Sequence, residues 1–184
     1  MRKLIVTEFV TLDGVMEAPG GEPTHPHTGW VEPYIAGDPY ERKFQEVLDC
    51  ESHLLGRVTY ESFVGAWPTR EGPMADRINS MAKHVVSTTM TTAEWNNTEV
   101  LPNLDAVRAL KDGDGGDILV AGSHTLVHAL LREELVDQLT LMVFPVTIGG
   151  GLRLFPDSTQ KWTWAPIETE SFDNGVIFTK YAKA

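Results

Sequence analysis

Residues 116–155 read GDILVAGSHTLVHALLREELVDQLTLMVFPVTIGGGLRLF, and this stretch decides the fold. The uninterrupted apolar run Ile118–Ala121 predicts a strand that is covered on both faces. A helix is predicted to follow, because apolar residues recur at helical spacing at Leu126, Val127, Leu130 and Leu131. The N–H groups in the first turn of a helix have no partner inside the helix, and small residues allow close approach. The turn Gly122-Ser123 therefore predicts a site for an anion such as phosphate.

Strands and helices are predicted to alternate through most of the chain. The predicted strands cover Lys3–Val10, His53–Leu55, Lys83–Ser87, Val100-Leu101 and Gln138–Val146. The predicted helices cover Tyr40–Asp49, with Phe44, Val47 and Leu48 on one face, Arg57–Val64, Met74–Ala82 and a stretch that Asn103 caps. Residues 17–39 form a long loop, and Trp162–Phe172 with Gly175–Tyr181 predict an antiparallel hairpin. The pattern predicts one α/β domain over residues 1–184, with three layers and a mostly parallel central sheet.

The amino-acid composition limits the kinds of partner and the location that are expected for this protein. The net charge is −11 and no basic patch occurs, so nucleic acid is not expected as a partner. No apolar run approaches the roughly 20 residues needed to span a bilayer. Thr7 and Glu8 interrupt the first apolar run, which therefore predicts a strand rather than a signal peptide. Cys50 is the one cysteine and cannot pair within the chain, so a reducing, cytoplasmic location is expected.

The turn after the second predicted strand contains Gly56, Arg57 and Thr59. The guanidinium of Arg57 is a planar fork of donors that fits a phosphate group, and Thr59 adds a hydroxyl and its N–H. A capped helix with a surface arginine is the alternative interpretation.

Two more turns of this kind occur, at Ser87-Thr88 and at Gly122-Ser123. The first could hold a ribose or its 2′-phosphate, or be only a polar turn; the second could be a well-capped core helix. Ligands of open α/β sheets lie beyond the carboxyl ends of the strands. The three turns together therefore predict a site for the phosphates and adenosine of a dinucleotide, although no G-x-G-x-x-G fingerprint is present.

Four segments give the chain a resemblance to a known superfamily. They are Thr11–Gly14, Leu55–Glu61, Val120–Ser123 with Leu126, and Leu135–Asp137 through Pro145–Gly151 to Phe155. In order and spacing they resemble the dihydrofolate reductase-like superfamily, and most closely the stand-alone relatives of the riboflavin-biosynthesis reductase domain. The resemblance implies a three-layer αβα fold and NADPH as hydride donor. It also implies a homodimer, with Gln138–Val146 and the C-terminal hairpin as interface elements.

The resemblance also implies a set of residues for binding the coenzyme. Gly56, Arg57 and Thr59 would bind phosphates, with Arg57 favoured for the 2′-phosphate, and Ser87 and Thr88 would flank the adenine ribose. The pyrophosphate would lie on the turn made by Gly122, Ser123, His124 and Thr125. The nicotinamide would lie near Phe9, Val10 and Met16.

The chain departs from the family pattern at two points. Serine stands at 123 where the family has glycine, and its N–H can serve provided that its φ stays negative. No carboxylate aligns with the acidic residue of the folate-reducing members. Asp13 is the best local candidate for a proton donor, and Glu32 is a weaker candidate. Alternatively, Asp13 is a turn carboxylate that accepts a hydrogen bond from the Val15 N–H.

No metal is expected, because His25 and His27 lie in a proline-rich loop with no third fixed ligand. Trp30 either closes over a substrate or anchors the loop. Three functions are consistent with the sequence: an NADPH-dependent reductase of a small conjugated or heterocyclic acceptor, a non-catalytic nucleotide-binding module, and a flavin-using reductase.

Overall fold

The computed structural model describes all 184 residues. The strands are β1 (Leu4–Thr11), β2 (Ser52–Gly56), β3 (Ala82–Val86), β4 (Thr98–Leu101), β5 (Ile118–Ala121), β6 (Gln138–Phe144), β7 (Trp164–Ser171) and β8 (Ile177–Lys183). The α-helices are α1 (Asp38–Asp49), α2 (Arg57–Ala66), α3 (Pro73–Ser80), α4 (Leu104–Asp112) and α5 (His124–Arg132), and a short 3₁₀ turn covers Trp67–Thr69.

All eight strands form one sheet in the order β4-β3-β2-β5-β1-β6-β8-β7. The pairs from β4 to β6 are parallel, while β8 pairs antiparallel with both β6 and β7. The mostly parallel sheet with an antiparallel C-terminal hairpin is therefore confirmed. β6 ends at Phe144 rather than Val146, because Pro145 has no N–H to continue the ladder.

β6 lies inside the sheet rather than at its edge. β6 is paired with β1 on one side and β8 on the other, so it offers no free backbone edge to a second copy of the chain. Within the C-terminal hairpin, the unpaired edge belongs to β7.

Helices cover the sheet on both faces. α4 and α5 pack on one face over a core that includes Val6, Val120 and Leu130. α1, α2 and α3 pack on the other face, over a core that includes Ile5 and Leu55. The Asn103 side chain accepts a hydrogen bond from the Ala106 N–H, as predicted for the cap of α4. No helix combines the length and the apolar character that crossing a membrane would need.

The long loop before α1 is tied to the domain by Trp30. The indole N–H of Trp30 donates to the Glu17 carbonyl at 2.8 Å, and its ring packs edge-on against Phe144 with centroids 5.4 Å apart. Trp30 is only 7% exposed. It therefore anchors the loop to the sheet, and does not stand open as a lid.

Candidate functional site

The three predicted turns lie along one edge of the sheet. Gly56 ends β2, Ser87 follows β3 and Gly122 follows β5, and these three strands are neighbours in the order β3-β2-β5. β1 is the next strand along, so Phe9 and Val10 reach the same edge. The sheet thus gathers the predicted residues at the carboxyl ends of adjacent parallel strands, where α/β proteins place their ligands.

The turns after β2 and β5 touch each other. The Gly56 N–H donates to the Ser123 hydroxyl at 2.7 Å. A Cβ on Gly56 would lie 3.2 Å from the Ser123 Cβ, and a Cβ on Gly122 would lie 3.1 Å from the Thr59 Cγ2. Glycine at 56 and 122 therefore allows the starts of α2 and α5 to approach closely.

Ser123 adopts a conformation that the sequence analysis did not expect. Its φ is +68°, in the left-handed region, and the φ of Gly122 is +65°. The negative φ that would let the Ser123 N–H serve is therefore not found. The Ser123 side chain does not cap α5, and its hydroxyl accepts the hydrogen bond from Gly56. The N–H groups of His124, Thr125 and Leu126 consequently have no protein acceptor. Three adjacent N–H donors at the start of α5 are thus available at the turn where an anion was predicted.

The strain at Ser123 leads to a test of stability. Ser123→Gly should leave the free energy of unfolding nearly unchanged, because relief of the left-handed conformation, about 1 kcal/mol, offsets the lost hydrogen bond, also about 1 kcal/mol. Ser123→Ala keeps the strain and loses the bond, so it should destabilise the fold by about 1 kcal/mol. Urea unfolding of both variants measures this, and equal stability of the two would contradict it.

Arg57 lies at the first position of α2 with its side chain 44% exposed. One guanidinium nitrogen, Nη1, donates to both carboxylate oxygens of Glu61, at 2.8 and 2.9 Å. This exposed pair one helical turn apart contributes little to stability. Arg57 can exchange Glu61 for a phosphate at small cost.

The hydroxyl of Ser87 is used within its own turn. Ser87 is buried, and its Oγ accepts hydrogen bonds from the Thr89 and Met90 N–H groups at 3.2 and 3.0 Å. Thr88 is exposed beside it. Of the two residues predicted to flank a ribose, Thr88 has the accessible side chain.

Two other predicted residues are placed by their surroundings. Met16 is buried in the core cluster that also contains Val10 and Leu154. The His124 ring lies 4.0 Å from that of His128, centroid to centroid. Burial, and then His128, lowers the pKa of His124, so at neutral pH this residue offers an anion its backbone N–H rather than a positive charge.

Asp13 joins its turn to the glycine cluster. Its carboxylate accepts hydrogen bonds from the Thr11 hydroxyl at 2.6 Å and the Gly149 N–H at 2.8 Å. The Val15 N–H donates to the Thr11 hydroxyl at 3.0 Å, so the interpretation of Asp13 as the acceptor for Val15 is wrong. The hydrogen bond from Thr11, followed by that from Gly149, lowers the pKa of Asp13. A carboxylate stabilised in its charged form is a poor proton donor, which argues against Asp13 as the acid.

A group of polar residues that the sequence did not reveal lies between α1 and β1, with Thr7 and Glu46 buried and Lys43 half-buried. Lys43 of α1 lies 2.5 Å from the Thr7 hydroxyl and 3.4 Å from the Glu46 carboxylate, and the Thr7 hydroxyl donates to Glu46 at 3.0 Å. Leu48, predicted on the buried face of this helix, is 45% exposed. The predicted apolar face of α1 is therefore partly wrong, since Lys43 and Glu46 turn toward the sheet.

Glu8 and His53 are buried titratable residues outside this set of contacts. Burial raises the pKa of Glu8 to about 8, with Lys43 opposing the shift, and its Oε1 has no hydrogen-bond partner. Burial lowers the pKa of His53 to about 3, and neither ring nitrogen has a partner. An alternating strand pattern gives no warning of either, because both residues stand where apolar side chains are usual.

The loop histidines make contacts of their own. His25 Nε2 lies 3.0 Å from the Gly150 carbonyl oxygen, and His25 Nδ1 accepts from the His27 N–H at 3.0 Å. No three His, Cys, Asp or Glu side chains are grouped so that they could hold a metal ion.

Comparison with solved structures defines the class of fold. A Shewanella sp. PV-4 protein named for riboflavin biosynthesis superposes with a TM-score of 0.75 at 19% identity, covering 99% of both chains. Dihydrofolate reductase from Enterococcus faecalis, complexed with NADP(H) and RAB-propyl, gives 0.66 at 17% identity, covering 98% of this chain and 96% of its own. A pyrimidine reductase-like protein of Corynebacterium diphtheriae gives 0.66 at 14% identity, covering 100% and 92%. The fold is dihydrofolate reductase-like.

Sequence comparison then gives the family. The chain belongs to the RibD C-terminal domain family, which matches residues 2–178. The uncharacterized protein YyaP of Bacillus subtilis (strain 168) is 29% identical over 189 residues, covering 98% of this chain and 94% of its own length. The uncharacterized protein YwjB of the same organism is 26% identical, covering 95% of each.

Proposed function

We propose that this chain, acting as one domain over residues 1–184, is an NADPH-dependent reductase that delivers a hydride to a small conjugated or heterocyclic acceptor. The observation that carries the proposal is the contact between the starts of α2 and α5, which brings their N–H donors together. At this contact lie the left-handed Gly122-Ser123 turn, the unpartnered N–H groups of residues 124–126, and the neighbouring Thr59. Two helix N-termini this close suit a pyrophosphate. The RibD C-terminal family and the reductase-like neighbours support a reductase.

The residues present fit the remaining parts of the coenzyme. Arg57 follows Gly56 at the start of α2 and carries a guanidinium that can bind the 2′-phosphate, and Thr88 is exposed at the next strand end for the ribose. Phe9 and Val10 lie near the end of β1 for the nicotinamide, and Met16 is buried in the same core cluster as Val10. When bound, NADPH supplies the hydride. In this proposal, Asp13 holds the glycine cluster against the turn rather than donating a proton.

Substitution of Arg57 tests the proposal. Arg57→Ala should weaken NADPH binding by about 10- to 100-fold, since a charge-assisted hydrogen bond contributes about 1.5–3 kcal/mol. Binding of NADH, which lacks the 2′-phosphate, should change little. Titration followed by nicotinamide fluorescence measures both affinities.

Arg108→Ala is the matched control. Arg108 of α4 is also an exposed arginine, and it pairs with a glutamate, Glu133, at 2.5 Å. It should bind NADPH like the unaltered protein. Unchanged NADPH affinity in Arg57→Ala would refute the assigned role. Tight NADPH binding without oxidation by any acceptor would instead identify a non-catalytic nucleotide-binding module.

A further inference from the structure

The ammonium group of Lys43 lies beside the residue proposed to neighbour the nicotinamide. Its Nζ is 4.8 Å from the centroid of the Phe9 ring, at the carboxyl end of β1. The Lys43 side chain is 14% exposed, whereas that of Glu46 is 6% exposed. The positive charge is thus the outermost polar group of the Thr7–Lys43–Glu46 cluster.

The hydrogen bonds of this cluster leave Lys43 one free donor. A lysine ammonium has three N–H donors. The Thr7 hydroxyl accepts from one of them at 2.5 Å, and the Glu46 carboxylate forms an ion pair with the ammonium at 3.4 Å. No other oxygen or nitrogen of the protein pairs with it. Glu46 supplies the negative charge that keeps a desolvated ammonium in place. A cation held in this way can receive the oxygen of a ligand.

Half-buried Lys43 differs in location from the two buried lysines, Lys83 and Lys111. Lys83 lies at the beginning of β3, where its Nζ donates to the carbonyls of Asn79 and Met81. Lys111 pairs with Asp137, whose carboxylate also accepts from the Leu4 N–H at the beginning of β1. Both lie at amino ends of strands, where they hold backbone together. Lys43 lies at the carboxyl-end edge, where ligands of α/β sheets bind.

We infer that Lys43 determines which acceptor binds, by donating its free N–H to a carbonyl or carboxylate oxygen on a flat conjugated ring beside Phe9. The inference rests on the proposed function, since it takes the nicotinamide site from there. A hydrogen bond from a charged donor is stronger than one from a neutral donor. The Lys43 ammonium therefore favours ligands whose oxygen is electron-rich. Thr7 and Glu46 position the ammonium for this contact.

Binding of three probe compounds to the full chain, with and without NADP⁺, tests this inference by NMR titration. The probes are pyrazine-2-carboxylate, pyrazine-2-carboxamide and methylpyrazine, which share a ring and differ in the oxygen they offer. The unaltered protein should bind the carboxylate at least tenfold more tightly than methylpyrazine. Lys43→Met should remove this preference, and Lys43→Arg should restore part of it.

Lys180→Met is the matched control. Lys180 also pairs with a carboxylate, Glu168 at 3.5 Å, and faces an aromatic ring, Phe178 at 6.0 Å, but on β8. It should keep the preference. Three results would each overturn the inference. The unaltered protein could bind all three probes equally, it could bind none of them, or the preference could survive Lys43→Met. NADPH titration of the same variants tests the proposed function separately. If the proposed function is wrong, NADPH does not bind, whatever the probe compounds do.

Discussion

Glu8→Gln is expected to stabilise the protein increasingly as the pH rises from about 4.5 to about 8. The pKa of Glu8 is 4.5 when the side chain is exposed in the unfolded chain, and burial raises it to about 8 in the folded protein. Between them the folded state binds a proton that the unfolded state has lost. The free energy of unfolding of the unaltered protein therefore contains a contribution that falls with pH, by about 1.4 kcal/mol per pH unit. Glutamine is uncharged at every pH, so the variant lacks this loss.

The measurement is a series of urea unfolding curves for both proteins at several pH values. Glu71→Gln is the control, because Glu71 is exposed, and its difference from the unaltered protein should not follow this slope. A difference between Glu8→Gln and the unaltered protein that stays flat over this pH range would show that Glu8 ionises normally in the folded state.

His53 adds an opposite dependence on the acid side. Its pKa falls from 6.5 to about 3 on burial, so between these values the unfolded state binds the extra proton. Stability is therefore lost as the pH falls from 6.5 toward 3. Between about 4.5 and 6.5 the contributions of Glu8 and His53 oppose each other. The unaltered protein therefore loses stability above about pH 6.5 through Glu8 and below about pH 4.5 through His53.

Gly151→Ala is expected to destabilise the protein by about 3 kcal/mol, from backbone strain and overpacking together. The φ of Gly151 is +129°, which non-glycine residues rarely adopt, and a Cβ there would lie 2.7 Å from the Val15 Cγ1. Val15 is fully buried and pairs with Arg153 in an isolated bridge, so it has little room to move.

The adjacent glycines provide graded controls. Gly149 has a φ of +82° and Gly150 does not have a positive φ, and a Cβ added at either position would have no neighbouring atom within 4 Å. Gly149→Ala should cost about 1 kcal/mol from the left-handed conformation alone, and Gly150→Ala close to nothing. Thermal unfolding of the three variants should rank them in this order. Similar melting temperatures for Gly150→Ala and Gly151→Ala would contradict the contact with Val15.

Local patterns predicted the features that local chemistry decides. The apolar run Ile118–Ala121 and the turns at Gly56 and Gly122 were recognisable because each strand, turn and helix start is encoded within about ten residues. The left-handed φ of Ser123 was not, since it depends on the hydrogen bond from Gly56, which is 67 residues away in sequence. Asp13 was misread because the nearby Thr11 hydroxyl takes the Val15 N–H in its place. The bond from Gly149 to Asp13 was also hidden, since Gly149 is 136 residues away.

The buried charges escaped prediction for a different reason. Lys43 and Glu46 stand three residues apart on α1, a spacing that usually marks an exposed ion pair. Only the packing of α1 over Thr7 buries Glu46 and half-buries Lys43. The candidate acceptor side of the site was therefore hidden, although the candidate coenzyme side was visible in the turns.

The central place of β1 in the sheet has a consequence for synthesis on the ribosome. Leu4 is in register with Ile118 of β5, and the other neighbour of β1 is β6, made later still. At about 5–20 residues per second, translation takes on the order of ten seconds to supply the first of these partners. The nascent chain carries its most apolar early segment unpaired for that time. Thr7 and Glu8 interrupt that segment and make it more polar than an uninterrupted apolar run until β5 has been synthesised.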